Sequence, residues 1–169
     1  GWHHARPLKV AIEHGIVFND YLWQVDLDTR LPLFLCGSPD RARRFEARSD
    51  DRTRAAAIGP MISYAAALVP EVRSADTTLL AFPAHSTHHI SLEFDAEQFA
   101  DVLEREGKRY TRVVVCMYWK DYLAGRARVY ERRGFSITTA GHMFDAQFLF
   151  RLVDIIRNAS MVVTNEIGS

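Results

Sequence analysis

Long apolar runs are absent from this sequence of 169 residues. No run approaches the roughly 20 apolar residues that a membrane-spanning helix requires, so we expect no membrane span. The first residues also lack the apolar stretch of a secretory signal peptide. Because hydrophobic residues make up 48% and charged residues 25% of the chain, the composition is that of an ordinary globular protein, and we predict that it is cytoplasmic.

An excess of charge of one sign is also missing, since 21 Lys and Arg residues balance 21 Asp and Glu residues. The protein therefore has no net field that would attract nucleic acid, and we expect no nucleic-acid partner. Acidic residues also interrupt the most arginine-rich stretch, which predicts a solvated face there and not a phosphate-binding patch. The arginines of this stretch are Arg41, Arg43, Arg44, Arg48, Arg52 and Arg54.

Cysteine is scarce, with two residues in the whole chain. Cys36 and Cys116 each lie in an apolar, strand-like segment, and neither has a Cys or His nearby at the spacing of a zinc finger. This pattern argues against a disulfide framework or a structural metal, and it predicts two buried free thiols.

Residues 1–75 form the first predicted portion, a short α/β segment. Residues 8–12 and 31–36 have the apolar pattern of strands. The pattern of residues 55–59 indicates a short strand or a turn. Ser38 and Pro39 have the residue types of a helix cap and first turn, which predicts a helix to about residue 47. The pattern of residues 61–68 predicts another helix. The boundary between the two portions is predicted within residues 70–76.

Residues 76–169 form the second portion, in which strands and helices alternate. The predicted strands are 77–82, 110–119, 135–139 and 161–164. Between them we predict a helix from Asp95 to a cap at Gly107, a helix over 120–133, and a helix capped by Asp145. This alternation predicts an α/β fold with a parallel, Rossmann-like sheet and flanking helices.

Polar and small residues follow the strands of this second portion. Because crossovers between parallel strands are right-handed, the loops that follow the strands emerge at one edge of the sheet, where ligands bind. The segments expected there are 83–94, 119–121, 140–144 and 165 onward.

His85, Ser86 and Thr87 follow the first strand of that sheet, with His88 and His89 behind them. Hydroxyl, imidazole and backbone N–H groups at a strand end can contact a phosphate oxygen, and a purely structural loop is the alternative. No carboxylate or further His lies at a recognisable ligand spacing, so we predict no metal here.

Two later segments have similar chemistry. Gly141 lets a ligand approach the backbone beside His142. Asn165, Gly168 and Ser169 present donors and small residues after the last strand, a composition that suits a diphosphate. The segments predict a nucleotide or phosphate site.

Glu13 and His14 follow the first strand of the chain. A carboxylate and an imidazole beside a flexible turn are the parts of a general base, and a polar strand exit is the alternative. The sequence contains no Walker loop, no G-x-S-x-G and no G-x-G-x-x-G, which argues against P-loop, hydrolase and dinucleotide-binding classes.

Taken in order, several of these segments resemble bacterial surface-polysaccharide glycosyltransferases of the GT-B architecture. The resemblance covers most of the chain, through short motifs. They are residues 13–15, 58–60, 82–87, 115–121, 139–142 and 165–169.

The resemblance implies two Rossmann-like lobes, with an acceptor side in residues 1–75 and a nucleotide-sugar donor side in 76–169. It implies His14 and Glu13 as catalytic candidates toward a saccharide acceptor. It also implies that a set of donor-side residues holds phosphate or ribose without a metal or other cofactor. That set is His85, Ser86, Thr87, His142, Asn165, Gly168 and Ser169.

Relative to that pattern the first lobe is short, and the second stops before its final helices, so the chain resembles a truncated relative. An unpaired edge strand in such a chain would favour a homodimer. A nucleotide-sugar epimerase and a non-catalytic nucleotide-binding or assembly module are the alternatives. Dependence on a sugar acceptor would separate the transferase from the epimerase.

Overall fold

The computed structural model describes residues 9–13, 20–50, 52–71, 76–86 and 94–165. The chain is an α/β protein with two parallel sheets of three and four strands, flanked by helices. It divides into two compact units, one of residues up to Tyr64 and one that begins at Ala65. This division lies before the boundary predicted from composition at residue 75.

The first unit contains a parallel sheet in the order β1-β2-β3. Its strands are β1 (Val10–Ile12), β2 (Leu33–Cys36) and β3 (Arg54–Ala57). The apolar pattern predicts the first two, and for residues 55–59 it left a strand or a turn open. Its helices are α1 (Gln24–Leu27), α2 (Pro39–Glu46) and α3 (Met61–Leu68), the last of which crosses the division between the units. The four-residue helix α1 was not predicted, because one turn leaves no periodic pattern.

Helix α2 begins as its sequence predicts. The Ser38 hydroxyl accepts a hydrogen bond from the Arg41 amide at 3.2 Å, and Pro39 occupies the first turn. Phe45 of α2 is fully buried and stacks on Phe34 of β2, with ring centroids 4.2 Å apart. This pair, with Leu22 and Cys36, forms the core of the first unit.

The second unit contains a parallel sheet in the order β6-β5-β4-β7. Its strands are β4 (Thr78–Phe82), β5 (Arg112–Cys116), β6 (Ser136–Thr138) and β7 (Met161–Thr164). Its helices are α4 (Ala96–Gly107), α5 (Trp119–Leu123), α6 (Arg128–Glu131) and α7 (Phe148–Arg157). Among the described residues, no helix is long and apolar enough to cross a lipid bilayer.

This strand order has a topological switch point. The chain runs from β4 through β5 to β6 on one side, and then returns to place β7 on the other side of β4. The switch point therefore lies between β4 and β7, and parallel α/β sheets bind ligands at the carboxyl ends of the strands at such a point.

Three predictions for the second unit are wrong, two of them in the helices that follow β5 and β6. The single helix over 120–133 is instead two short helices, because Gly125 between them adopts a left-handed conformation with φ of +74°. Asp145 does not cap α7, which begins at Phe148 after Gln147. Its carboxylate accepts from the Gln147 amide at 2.8 Å and pairs with Arg151, so it closes a turn before the helix.

Gly107 ends α4, but it is not the left-handed cap that the sequence predicts. The cap residue is Lys108, and Gly107 does not have a positive φ. A Cβ built on Gly107 would lie 2.5 Å from Cγ2 of Val113 in β5, closer than carbon atoms approach. Glycine is therefore needed here for close packing between helix and strand.

We expect Gly107→Ala to destabilise the protein by about 1–3 kcal/mol through overpacking against Val113. The sign of this change in stability is informative, because replacing glycine by alanine within a helix otherwise stabilises a protein by up to about 1 kcal/mol. Urea denaturation measures the change, and the double variant Gly107→Ala/Val113→Ala should remove the clash. A single variant as stable as the wild type would contradict this packing.

Candidate functional site

The loops after β4 and β7 meet at the switch point of the second sheet. The side-chain Oδ1 of Asn165, directly after β7, accepts a hydrogen bond from the backbone amide of Ala84 at 2.7 Å. The predicted site residues His85 and Ser86 follow Ala84 in the same loop. Three of the residues predicted to bind phosphate are thus brought to one edge of the sheet.

Ser86 is held by residues that follow β5. Its backbone amide donates to Oδ2 of Asp121 at 3.1 Å, and its hydroxyl oxygen accepts from Nη1 of Arg126 at 3.1 Å. Arg126 Nη1 also lies 3.4 Å from Oδ1 of Asp121. The loop after β4 and the α5 region therefore form one hydrogen-bonded unit.

The rings of Tyr118 and Trp119 lie between those of His85 and His142. The His85 ring centroid is 5.0 Å from that of Tyr118, and Tyr118 is 5.9 Å from Trp119. Trp119 is in turn 4.5 Å from His142. These aromatic contacts connect the loops after β4, β5 and β6.

The conformation at His142 depends on its neighbours. Gly141 has a φ of +88°, which favours glycine, and the carbonyl of Ala140 before it accepts from Nε of Arg151 at 2.9 Å. Nδ1 of His142 accepts from the Phe144 amide at 3.1 Å. A neutral His142 therefore carries its proton on Nε2, which leaves that nitrogen as the donor.

A cavity of about 310 Å³ lies beside the loop after β4. Its polar lining residues are Asp121, Arg126 and Tyr130. Apolar walls complete it, formed by Pro83, Ala84, Phe94, Ala96 and Met117.

Tyr130 and Asp121 are buried although both are polar. Tyr130 is 1% exposed, and its hydroxyl has no hydrogen-bond partner. Burial raises the pKa of Tyr130 to about 12, so the phenol stays neutral at pH 7. Asp121 is 5% exposed, so this edge of the sheet holds a buried carboxylate and a buried neutral hydroxyl.

Sequence reasoning placed the 119–121 junction at this edge, but it did not single out Asp121, Arg126 or Tyr130. Arg126 and Tyr130 follow the unexpected break at Gly125. The one signal in the sequence was an acidic residue, Asp121, in the first turn of the helix that follows β5.

Glu13, the candidate base of the first unit, lies in a buried ion pair. Its Oε1 accepts from Nε of Arg41 at 2.6 Å, and its Oε2 accepts from the Gly37 amide at 3.0 Å. Arg41 is 4% exposed, so the prediction that the whole arginine-rich stretch is solvated is wrong for this residue. Its guanidinium is ion-paired with Glu13, and its Nη1 donates to the Tyr21 carbonyl at 2.7 Å, which offsets part of the cost of its burial. These bonds favour a structural role for Glu13.

The remaining predicted site residues lie outside the described residues. They are His14, Thr87, Gly168 and Ser169.

Both cysteines are buried free thiols, as predicted. Burial raises the pKa of the Cys36 thiol, and it raises the pKa of the Cys116 thiol to about 11. Neither thiol therefore has the thiolate character of a nucleophile. Within the described ranges, no group of three or more His, Cys, Asp and Glu side chains is placed to hold a metal ion.

Comparison of the chain with protein-family models, curated proteins and solved structures finds no match.

Proposed function

We propose that this protein is a cytoplasmic, metal-independent glycosyltransferase that takes a nucleotide sugar as donor and a saccharide as acceptor in surface polysaccharide synthesis. The observation that carries the proposal is the switch point of the second sheet. There the Asn165 side chain is bonded to the loop that holds His85 and Ser86. Parallel sheets bind nucleotides at such a crevice.

The chemistry that this site supplies is hydrogen bonding to a departing nucleoside diphosphate. Imidazole, hydroxyl and amide groups that are already held in place stabilise the charge that develops as the bond to the sugar breaks. His85 and His142 are the donors on either side of the aromatic rings. His14 remains the proposed base toward the acceptor.

A non-catalytic nucleotide-binding module is the second candidate, and Glu13 favours it. Both oxygens of this carboxylate already accept hydrogen bonds, from Arg41 and Gly37. A carboxylate in such a pair is poorly placed to take a proton from an acceptor.

The homodimer also stays a proposal, and measurement of the molar mass by light scattering would test it.

Calorimetric titration with CMP, CDP, UDP, GDP and their sugars tests the proposal. We expect one nucleotide to bind saturably, and His85→Ala, His142→Ala and Asn165→Ala each to weaken it about tenfold or more, as for loss of one hydrogen bond to a charged group. Asn158→Ala is the matched control, because that side chain donates to Asp154 at the end of α7 and bonds to none of the predicted site residues within the described ranges.

A folded wild-type protein that binds none of these nucleotides would contradict the proposal. An assay for transfer then decides the class. Product that forms only when a saccharide acceptor is present supports a transferase. Conversion of the sugar without an acceptor supports the epimerase, and binding without turnover supports the non-catalytic module.

A further inference from the structure

The first unit has a pair of exposed aromatic rings that the proposed nucleotide site does not use. Tyr21 is 54% exposed and Trp23 is 48% exposed, although both side chains are large and hydrophobic. Their ring centroids are 5.0 Å apart, and their planes are close to perpendicular at 88°. Paired aromatic rings that stay in contact with solvent on a folded domain are typical of surfaces that bind a ligand or a partner.

The aromatic pair lies at the edge of the first sheet where β1 and β2 end. Glu13 follows β1 and accepts from the amide of Gly37, which follows β2. Arg41 donates both to Glu13 and to the carbonyl of Tyr21. The segment that carries the rings is therefore tied to the carboxyl edge of a parallel sheet, the edge at which such sheets bind ligands.

The backbone on which the rings are mounted is held on both sides. Leu22, between the two aromatic residues, is 5% exposed and belongs to the core of the first unit. The carbonyl of Trp23 accepts from the amides of Asp26 and Leu27, where α1 begins. A ligand that contacts the rings therefore does not have to order this segment first, which lowers the entropic cost of binding.

The aromatic pair also offers a hydrogen-bond donor. Within the described ranges, no residue accepts from the indole N–H of Trp23. An indole N–H can donate but cannot accept, so the ligand group that it suits is an oxygen.

The charges beside the rings offset one another. Asp20, directly before Tyr21, pairs through its Oδ1 with Nη1 of Arg44 at 2.8 Å. On α2, Asp40 pairs with Arg44 and with Arg43. These carboxylates and guanidinium groups leave no net charge that would attract an anion or a cation. The balance favours an uncharged ligand over a phosphate or an ammonium ion.

A sugar ring matches this combination of groups. Its C–H bonds form apolar faces that pack on aromatic rings, and its hydroxyl groups exchange hydrogen bonds with polar groups at the rim. The perpendicular rings of Tyr21 and Trp23 provide apolar faces in two directions. The indole N–H and the Asp20 carboxylate provide a donor and an acceptor. The arrangement therefore suits an uncharged saccharide.

We propose that Tyr21 and Trp23 form a saccharide-binding site of the first unit, in which a sugar ring packs on the aromatic faces and a hydroxyl oxygen accepts from the Trp23 indole. The proposal rests on the proposed function for one point only, the identification of the bound saccharide as the acceptor. Binding itself needs no nucleotide, so the two proposals can fail separately.

An array of uncharged oligosaccharides, built from glucose, galactose, mannose, rhamnose and N-acetylhexosamines, tests the proposal with the full chain and without nucleotide. We expect at least one oligosaccharide to bind. Calorimetric titration with that oligosaccharide then measures its affinity. We expect Tyr21→Ala and Trp23→Ala each to weaken it about tenfold or more, as for loss of an aromatic side chain at the centre of an interface. Trp23→Phe keeps an aromatic face and loses the N–H, so it should weaken binding less than Trp23→Ala.

Tyr122→Ala is the matched control, because Tyr122 is 45% exposed but lies on α5 of the second unit. We expect this variant to bind the oligosaccharide as tightly as the wild type. The thermal midpoints of Tyr21→Ala and Trp23→Ala should stay close to that of the wild type. Both substitutions leave Leu22 in the core and the backbone carbonyl at position 21 bonded to Arg41.

Three outcomes would overturn the inference. A folded chain that binds no oligosaccharide on the array is the first, and if that chain still binds a nucleotide, the nucleotide site stands. Equal affinity in the wild type, Tyr21→Ala and Trp23→Ala is the second. The third is a molar mass of two copies that falls to one copy in these variants, which would assign the rings to an interface between chains. Ring-dependent saccharide binding by a chain that binds no nucleotide would overturn the proposed function and leave this site standing.

Discussion

Replacing Arg41 by alanine is expected to lower the free energy of unfolding of the first unit by about 3–5 kcal/mol, because it leaves a charge buried without its partner. The side chain of Glu13 is 2% exposed and that of Arg41 5%. Removing the guanidinium also leaves the Tyr21 carbonyl without its donor. The loss would fall on the segment that connects β1, β2 and α2.

Urea denaturation, with hydrogen exchange of peptides from β2 and α2, measures the effect. Arg43→Ala on the same helix is the control. Arg43 is 71% exposed, and solvent screens its ion pair with Asp40, so we expect its removal to change stability far less than that of Arg41. The double variant Glu13→Leu/Arg41→Met should recover most of the stability, because it removes both charges. A loss below 1 kcal/mol in Arg41→Ala would contradict the buried pair.

Replacing Leu103 by alanine is expected to destabilise the second unit by about 2–5 kcal/mol, the range for a cavity left by a buried leucine. Leu103 lies on α4, is fully buried, and belongs to the core cluster with Leu79, Val115 and Tyr130. Because Tyr130 and Met117 of this cluster also line the cavity beside the loop after β4, affinity for the proposed nucleotide should fall as well.

Leu123→Ala is the matched control, since the Leu123 side chain on α5 is 74% exposed and should change stability by less than about 0.5 kcal/mol. Thermal and urea denaturation of both variants provide the comparison. Equal stability of the two variants would contradict the position of Leu103 at the centre of the core.

The pattern of apolar segments predicted the four strands of the second sheet and two of the three strands of the first, and it left β3 open as a strand or a turn. This prediction was possible because a strand that is buried in a parallel sheet has a short run of apolar residues, as in residues 113–117. Local capping chemistry was also readable at Ser38 and Asp95, where each side chain accepts from a backbone amide three residues later.

What the sequence did not disclose depends on contacts between distant residues. Position 107 requires glycine because a Cβ there would clash with Val113 of β5. Arg41 can be buried because it pairs with Glu13 of another segment. Neither partner is recognisable from the local sequence pattern. Asp121 illustrates the same limit within the site. Its neighbours Arg126 and Ser86 come from different segments, so the cavity could not be predicted before the fold was known.

The bond between Asn165 and Ala84 joins residues that are 81 positions apart. A second long-range bond, from the Thr78 amide to Ser160 Oγ, joins the other ends of the same two strands. Contacts between residues so far apart form late in folding, because a long loop must close first. The crevice at the switch point therefore exists only after β7 has paired with β4. A chain still emerging from the ribosome would lack this crevice, and binding of the proposed nucleotide would report that the second unit has finished folding.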